Sequence, residues 1–184
     1  MAVRGPKRLA AEALYEYAVA ALARRSLTVS ELRTRLATLA ARESSVDEVI
    51  ERLRSAGYID DARLAESYAF FRREYEGLGQ RRVLRELRKR GVDWELAQET
   101  VSGTYADADE ASLIGQHLER KLGEGYREHS IEEPKKVLSL YRALVRAGFS
   151  SDKIVKALQQ ISPDSDWLEA VAQHQDDSEQ EVFD

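Results

Sequence analysis

Three times along this 184-residue chain, a run with helical spacing ends in a glycine followed at once by an apolar residue: Gly57-Tyr58, Gly91-Val92 and Gly148-Phe149. A Schellman helix end asks for that pairing, with glycine in the left-handed turn and the apolar residue folded back on the last helical turn. Two of the three lie in stretches that overlay without a gap. Residues 87–101, with Lys89-Arg90-Gly91-Val92, match residues 144–158, with Arg146-Ala147-Gly148-Phe149, and both read as helix, glycine turn, short helix. A looser copy opens the chain: a helix over 31–41, a longer turn through Ser45, a helix over 47–56, then Gly57-Tyr58-Ile59-Asp60, answered later by Gly103-Thr104-Tyr105-Ala106-Asp107.

Hydrophobic spacing agrees. Leu32, Leu36, Leu39 and Ala40 recur at i, i+4, i+7 and i+8, and Leu64, Tyr68, Phe71 and Tyr75 at i, i+4, i+7 and i+11; no stretch alternates as a strand. Helix starts are marked by the capping-box pairs Thr28 with Glu31 and Ser45 with Glu48, and by Asp60, Asp93 and Ser150 as N-caps. The sequence therefore predicts an all-α fold of three tandem three-helix repeats forming an elongated, curved array. An N-terminal basic segment and the first repeat take 1–57, an Arg-rich second repeat 58–103 and a third 104–162. A short helix around Trp167 then leads into an acidic, disordered tail over 163–184.

Composition bounds the function. With ten glycines, three prolines and 33% charged residues, the chain is neither collagenous nor a glycine-rich loop fold. It has no cysteine, which removes disulfides, iron–sulfur clusters and thiolate zinc sites, and a reducing cytoplasm is expected. No apolar run approaches the roughly 20 residues of a membrane span, and the start leads straight into an amphipathic segment, so neither anchor nor signal peptide is expected. The net charge of -5 hides an asymmetry: through Val92 there are 19 Lys and Arg against 13 Asp and Glu, and from Asp93 onward 9 against 20.

The densest basic feature is Arg81, Arg82, Arg85, Arg88 and Lys89. At helical spacing these five fall within about 120° of arc, opposite an arc of Val83, Leu84 and Leu87, and only Glu86 lies near the basic rim. Arg72 and Arg73 end the preceding helix and extend the patch, and Arg24, Arg25, Arg33 and Arg35 of the basic first half complete the candidate partner-binding set. Such an arc is either a solvated face or a surface for an anionic partner. The predominance of Arg, whose planar fork grips carboxylate or phosphate two-toothed, favours the partner.

Catalytic chemistry finds no candidates. Asp60-Asp61 reads as helix capping, and His117, His129 and His174 lie on separate segments without metal-ligand spacing. Gly77-Leu78-Gly79 lacks the strand and third glycine of a phosphate loop, there is no nucleophile elbow, and Trp94 and Trp167 read as core or half-core packing. No enzyme, metal or cofactor is expected.

Two stretches closely resemble the signature segments of the RecX family of recombinase regulators: Gly57-Tyr58-Ile59-Asp60-Asp61-Ala62-Arg63-Leu64-Ala65, and Gly79 through Val92 with its Arg81-Arg82-Val83-Leu84-Arg85-Glu86-Leu87-Arg88-Lys89 core. The family's flanking parts are similar to Leu22-Ala23-Arg24-Arg25-Ser26 with 30–36, and to Leu144 through Ser150 with Ile154, so that the resemblance spans about 12–160 in order. It implies three tandem three-helix repeats and no catalytic activity. It further implies binding to the RecA recombinase and its filament on single-stranded DNA, modulating, most often limiting, filament extension, ATPase, strand exchange and the associated DNA repair and SOS response. Weak nonspecific DNA binding and a monomeric state accompany that expectation. Gln80 stands where the family commonly has proline and Arg90 where it commonly has lysine; the acidic tail lies outside the match. The rival reading is a direct DNA-binding helix-turn-helix transcriptional regulator built on the 31–41 and 47–56 helices, against which Asp47, Glu48 and Glu51 of the second helix count.

Overall fold

The computed structural model describes residues 8–128 and 130–180, with side chains through His174. The basic start over 1–7, His129 and the last four residues of the expected tail lie outside the described residues.

The described chain is all-helical. Three triplets follow one another: α1 (Ala11–Arg24), α2 (Val29–Leu39) and α3 (Ser44–Ser55); α4 (Asp61–Glu74), α5 (Gln80–Lys89) and α6 (Trp94–Tyr105); α7 (Glu110–Leu122), α8 (Pro134–Ala147) and α9 (Ser151–Gln159). A 3-10 turn, Tyr126–Glu128, sits between α7 and α8, and α10 (Trp167–Gln180) carries helical backbone well into the stretch expected as tail. The one extended pairing among the described residues is an isolated bridge between Leu9 and Ala40.

All three glycine turns form as expected. Gly57, Gly91 and Gly148 take φ of 72°, 78° and 93°. The N–H of the following residue reaches back to a carbonyl near the helix end: Tyr58 to Leu53 at 2.9 Å, Val92 to Leu87 at 3.1 Å and Phe149 to Leu144 at 3.3 Å. Val92 and Phe149 are buried, whereas Tyr58 is exposed. The Thr28–Glu31 capping box forms in full. Asp60 receives the Arg63 N–H at 3.1 Å, and Asp93 those of Glu95 and Leu96 at 3.0 and 3.2 Å.

Other expectations are corrected. Ser45 caps nothing: α3 begins one residue earlier, behind Glu43, and Ser45 is buried in its first turn. Ser150 precedes α9 without a side-chain cap, its hydroxyl donating instead to Glu110 at 2.8 Å. Asp61 accepts the N–H of Val29 at 2.9 Å, so it caps α2 rather than its own helix. The stripe on α4 is displaced. Ala65 and Ala69 are its fully buried residues, Leu64 and Tyr68 are half-buried, and Phe71 and Tyr75 are 50% and 69% exposed, stacked on each other at 5.1 Å between ring centroids. Trp94 is 43% exposed beneath the Arg88 guanidinium, which lies 4.7 Å from its ring centroid.

The described residues pack into two compact units. In the first, 8–68 with 86–101, α1 lies along α3 over a core of Leu14, Leu32, Leu36, Val49 and Leu53. The end of α5 docks on the start of α2. The Thr28 hydroxyl donates to the Arg90 carbonyl at 2.6 Å, and the Arg90 guanidinium grips Glu31 through Nε and Nη2, both at 3.0 Å, while donating to the Ser26 carbonyl at 3.0 Å. Burial pushes the Glu31 carboxyl up. The hydrogen bonds from Arg90 and from the Thr28 N–H, with the charge of Arg90, outweigh it and leave the group below its ordinary value.

In the second unit, 69–85 with 102–180, α9 packs against α7, α8 and α10 over Ile114, Tyr141, Leu144, Phe149 and Ile154. The same device recurs: the end of α8 docks on the start of α5. The N–H groups of Gly79 and Arg81 donate to the carbonyls of Ala147 and Gly148 at 2.8 and 3.2 Å. The approach is so close that a Cβ on Gly79 would stand 2.3 Å from the Gly148 carbonyl, and one on Gly148 2.4 Å from the Arg82 nitrogen. Helix-end carbonyls thus satisfy helix-start N–H groups that would otherwise need caps or water.

Candidate functional site

The cationic arc rests on α5, whose inner side is fixed by burial: Val83 and Leu87 are fully buried and Leu84 is half-buried. Helical geometry then sends Arg81, Arg85 and Lys89, four residues apart, along one exposed row that rises about 12 Å end to end. Through Arg85 the helix belongs to the second unit, and from Glu86 to the first. Arg82 and Arg88, on the flanks of the row, have local engagements. The Arg82 guanidinium reaches the Arg146 carbonyl at 3.4 Å, and Arg88 lies over Trp94. Glu86, the acid at the rim, accepts the Tyr68 hydroxyl proton at 2.8 Å.

The other candidates separate into two kinds. Arg24, Arg25 and Arg35 are exposed on the first unit. Arg33 pairs with Asp47, bridging α2 and α3. Arg72 pairs with Glu76 one turn on. Arg73 donates to the Thr104 carbonyl and, through Nε at 2.8 Å, to Glu74, so it ties the end of α4 to the end of α6. Arg33, Arg72 and Arg73 thus have intramolecular work, and the α5 row is exposed, as are Arg24, Arg25 and Arg35. Sequence reading passed over Arg90, which carries the junction in the first unit, and the exposed aromatics Phe70, Phe71 and Tyr75, of which helical spacing had assigned Phe71 and Tyr75 to a buried stripe. Among the described residues no group of three or more His, Cys, Asp or Glu is placed to hold a metal ion, and no helix is long and apolar enough to cross a membrane.

A chain of three-helix repeats with one strongly amphipathic cationic helix belongs to the class of helical-repeat proteins. Comparison with known proteins makes this specific. A family model described as RecX, second three-helix domain, matches residues 60–101. The Regulatory protein RecX of Halorhodospira halophila is 31% identical over 157 residues, covering 85% of this chain and 93% of that one. The Regulatory protein RecX of Bacillus licheniformis is 29% identical over 145 residues, 79% of this chain and 54% of the relative, so the match spans little more than half of that longer protein. The crystal structure of RecX from Lactobacillus salivarius superposes with a TM-score of 0.67 at 25% identity, covering 82% of this chain and 96% of that one. This chain belongs to the RecX family of regulatory proteins.

Proposed function

We propose that this chain binds the RecA recombinase and the filament it forms on single-stranded DNA. There it limits filament extension and the ATPase, strand-exchange and SOS-linked repair activity that depend on the filament, without catalysing a reaction itself. The observation that carries the reading is the outward row Arg81, Arg85 and Lys89 on a helix whose opposite side is locked by Val83 and Leu87. Three like charges on one row repel each other at modest cost in water and gain when an acidic protein surface or a phosphate run faces them. Family membership supports the regulatory character, and the cations supply the means of attachment.

The test is co-sedimentation with recombinase filaments on single-stranded DNA, with naked DNA and free recombinase as controls. The wild-type chain should co-sediment and slow the filament ATPase. A variant with Arg81→Glu, Arg85→Glu and Lys89→Glu, keeping its helical circular dichroism and melting temperature, should do neither. Full inhibition by that folded variant overturns the proposal. In a duplex gel shift without recombinase only weak nonspecific retention is expected. Tight sequence-specific binding would favour the helix-turn-helix reading, against which the exposed acids Asp47, Glu48 and Glu51 on α3 stand.

A further inference from the structure

α7 contains a glycine, Gly115, in its interior, a position where every residue but proline forms helix better. Its surroundings explain it. A Cβ there would stand 2.8 Å from Nη2 of Arg127 and 3.6 Å from the Tyr126 hydroxyl, so the missing side chain is the seat on which these two groups lie. Arg127 is held on that seat: its Nε donates to the Tyr126 hydroxyl at 3.1 Å, and its guanidinium lies 5.6 Å from the Tyr126 ring centroid. The pair lines a cleft of about 480 Å³ within the second unit, together with Lys153 and Lys156 from successive turns of α9 and the apolar Ala157 and Ile161. The one acid on the cleft wall, Asp109, already receives the Ala111 N–H at 3.1 Å as the N-cap of α7; Glu119 and Glu128 line the neighbouring hollow on the other side of Tyr126 and Arg127.

Three cations, an aromatic ring and apolar side chains around a volume of this size are a recognition set for a nucleotide, with phosphate on the charges and base on the ring. We propose that this cleft binds the phosphate of a nucleotide, with Lys153, Lys156 and Arg127 on its oxygens and Tyr126 against its base. The site is separate from the α5 row and does not rest on the function proposed for it. The phosphate has two sources, a residue of a DNA strand or a free nucleotide, and the experiment distinguishes them.

Binding of AMP and of a dodecathymidylate strand is measured by calorimetry on the full chain, for the wild type, for Lys153→Glu with Lys156→Glu, for Gly115→Ala, and for the Arg81, Arg85 and Lys89 reversal. The wild type should bind at least one probe, the strand alone if the source is DNA and AMP as well if it is a free nucleotide. The double reversal should weaken that binding by about tenfold or more, the worth of a charge-assisted hydrogen bond. Gly115→Ala is the discriminating variant. It displaces the end of a flexible arginine and improves the helix, so it should melt at or above the wild-type temperature and yet bind more weakly. The α5 reversal should leave AMP binding unchanged, which separates failure of this site from failure of the other. Absence of binding by both probes, or equal binding by the wild type, the double reversal and Gly115→Ala, overturns the proposal.

Discussion

Replacing each of the three helix-ending glycines with alanine separates the cost of a left-handed turn from the cost of a close junction. All three adopt φ between 72° and 93°, so alanine pays the same backbone penalty at each, about 1–2 kcal/mol, offset in part by the smaller entropy of its unfolded chain, about 0.4–1 kcal/mol. Around Gly57 nothing lies within 4 Å of the added methyl, so Gly57→Ala should cost about 1 kcal/mol. At Gly91 the methyl would stand 2.4 Å from the Cβ and Oγ of Ser30, about 1 Å inside ordinary contact, and overpacking adds about 1–3 kcal/mol. At Gly148 the opposing atoms are the Cβ and backbone nitrogen of Arg82, both at 2.4 Å, with its Cα at 2.9 Å, so truncating the side chain leaves the backbone in the way. Relief there means parting α8 from α5 and losing hydrogen bonds worth about 1 kcal/mol each, on top of the strain. The expected order of destabilisation is Gly57, then Gly91, then Gly148, read as urea midpoints by far-ultraviolet circular dichroism. At about 2–4 °C per kcal/mol for a chain of this size, melting temperatures should follow the same order. The decisive arm is Ser30→Gly. Measured against Ser30→Gly alone, which carries its own helix cost, adding Gly91→Ala should cost no more than Gly57→Ala, whereas no side-chain truncation opposite Gly148 should rescue Gly148→Ala. Equal costs at all three sites, or no rescue by Ser30→Gly, would refute the claim that the glycines at 91 and 148 are required by contact between triplets.

Further predictions concern single side chains. Arg90→Lys, toward the family's commoner residue, keeps the charge but cannot span both Glu31 oxygens and the Ser26 carbonyl, and should cost about 1–2 kcal/mol at neutral pH by urea denaturation. Because the Glu31 carboxyl is held below its ordinary value of 4.5, its contribution is present above that pH and is lost as pH falls through the folded value; the gap between variant and wild type should close in acid. His117 is pushed below its ordinary 6.5 by burial and then by Arg120, Lys121 and Arg82, so the folded chain binds fewer protons than the unfolded one just below that pH. Stability should therefore fall as pH is lowered from 6.5, and His117→Gln should flatten that slope; an unchanged slope would exclude His117 as its source. Gln80→Pro should be neutral or slightly stabilising in a thermal melt, because Gln80 is the first residue of α5, where proline fits and its missing N–H leaves no intrahelical bond unmade.

What could be read in the sequence was what local chemistry dictates. The three glycine turns were legible because a left-handed residue needs glycine whatever surrounds it, and the Thr28–Glu31 box because both partners lie within one turn. The basic face of α5 was legible because charge and apolarity divide its circumference so sharply. Legibility failed where a partner came from far along the chain. Asp61 caps a helix 32 residues away, Arg33 finds Asp47, and Arg73 finds the Thr104 carbonyl; a cation count alone assigns both arginines to a binding face. On α4 the period was right and the phase wrong. The helix approaches its neighbours on Ala65 and Ala69, which turns Phe71 and Tyr75 outward even though their apolarity predicts burial. The Arg127 seat left only an interior glycine as its trace.

Under the function proposed above, the junction at the start of α5 bears on how that helix would attract an anionic partner. A helix N-terminus ordinarily offers anions its unpaired N–H groups and the positive end of the helix dipole. Here the Gly79 and Arg81 N–H groups are spent on the carbonyls that end α8, so the positive end of one helix lies against the negative end of another and little of either field remains for a ligand. Attraction must come from side chains, and these are unequal. Arg82 sits with its nitrogen and Cβ under Gly148 and its guanidinium near the Arg146 carbonyl, so Arg82→Glu should register first as lost stability. Arg81, Arg85 and Lys89 stand on the exposed row, and their reversal should register as lost binding with stability kept. On α5, Arg82 is thus built into the junction with α8, while Arg81, Arg85 and Lys89 lie on the exposed side.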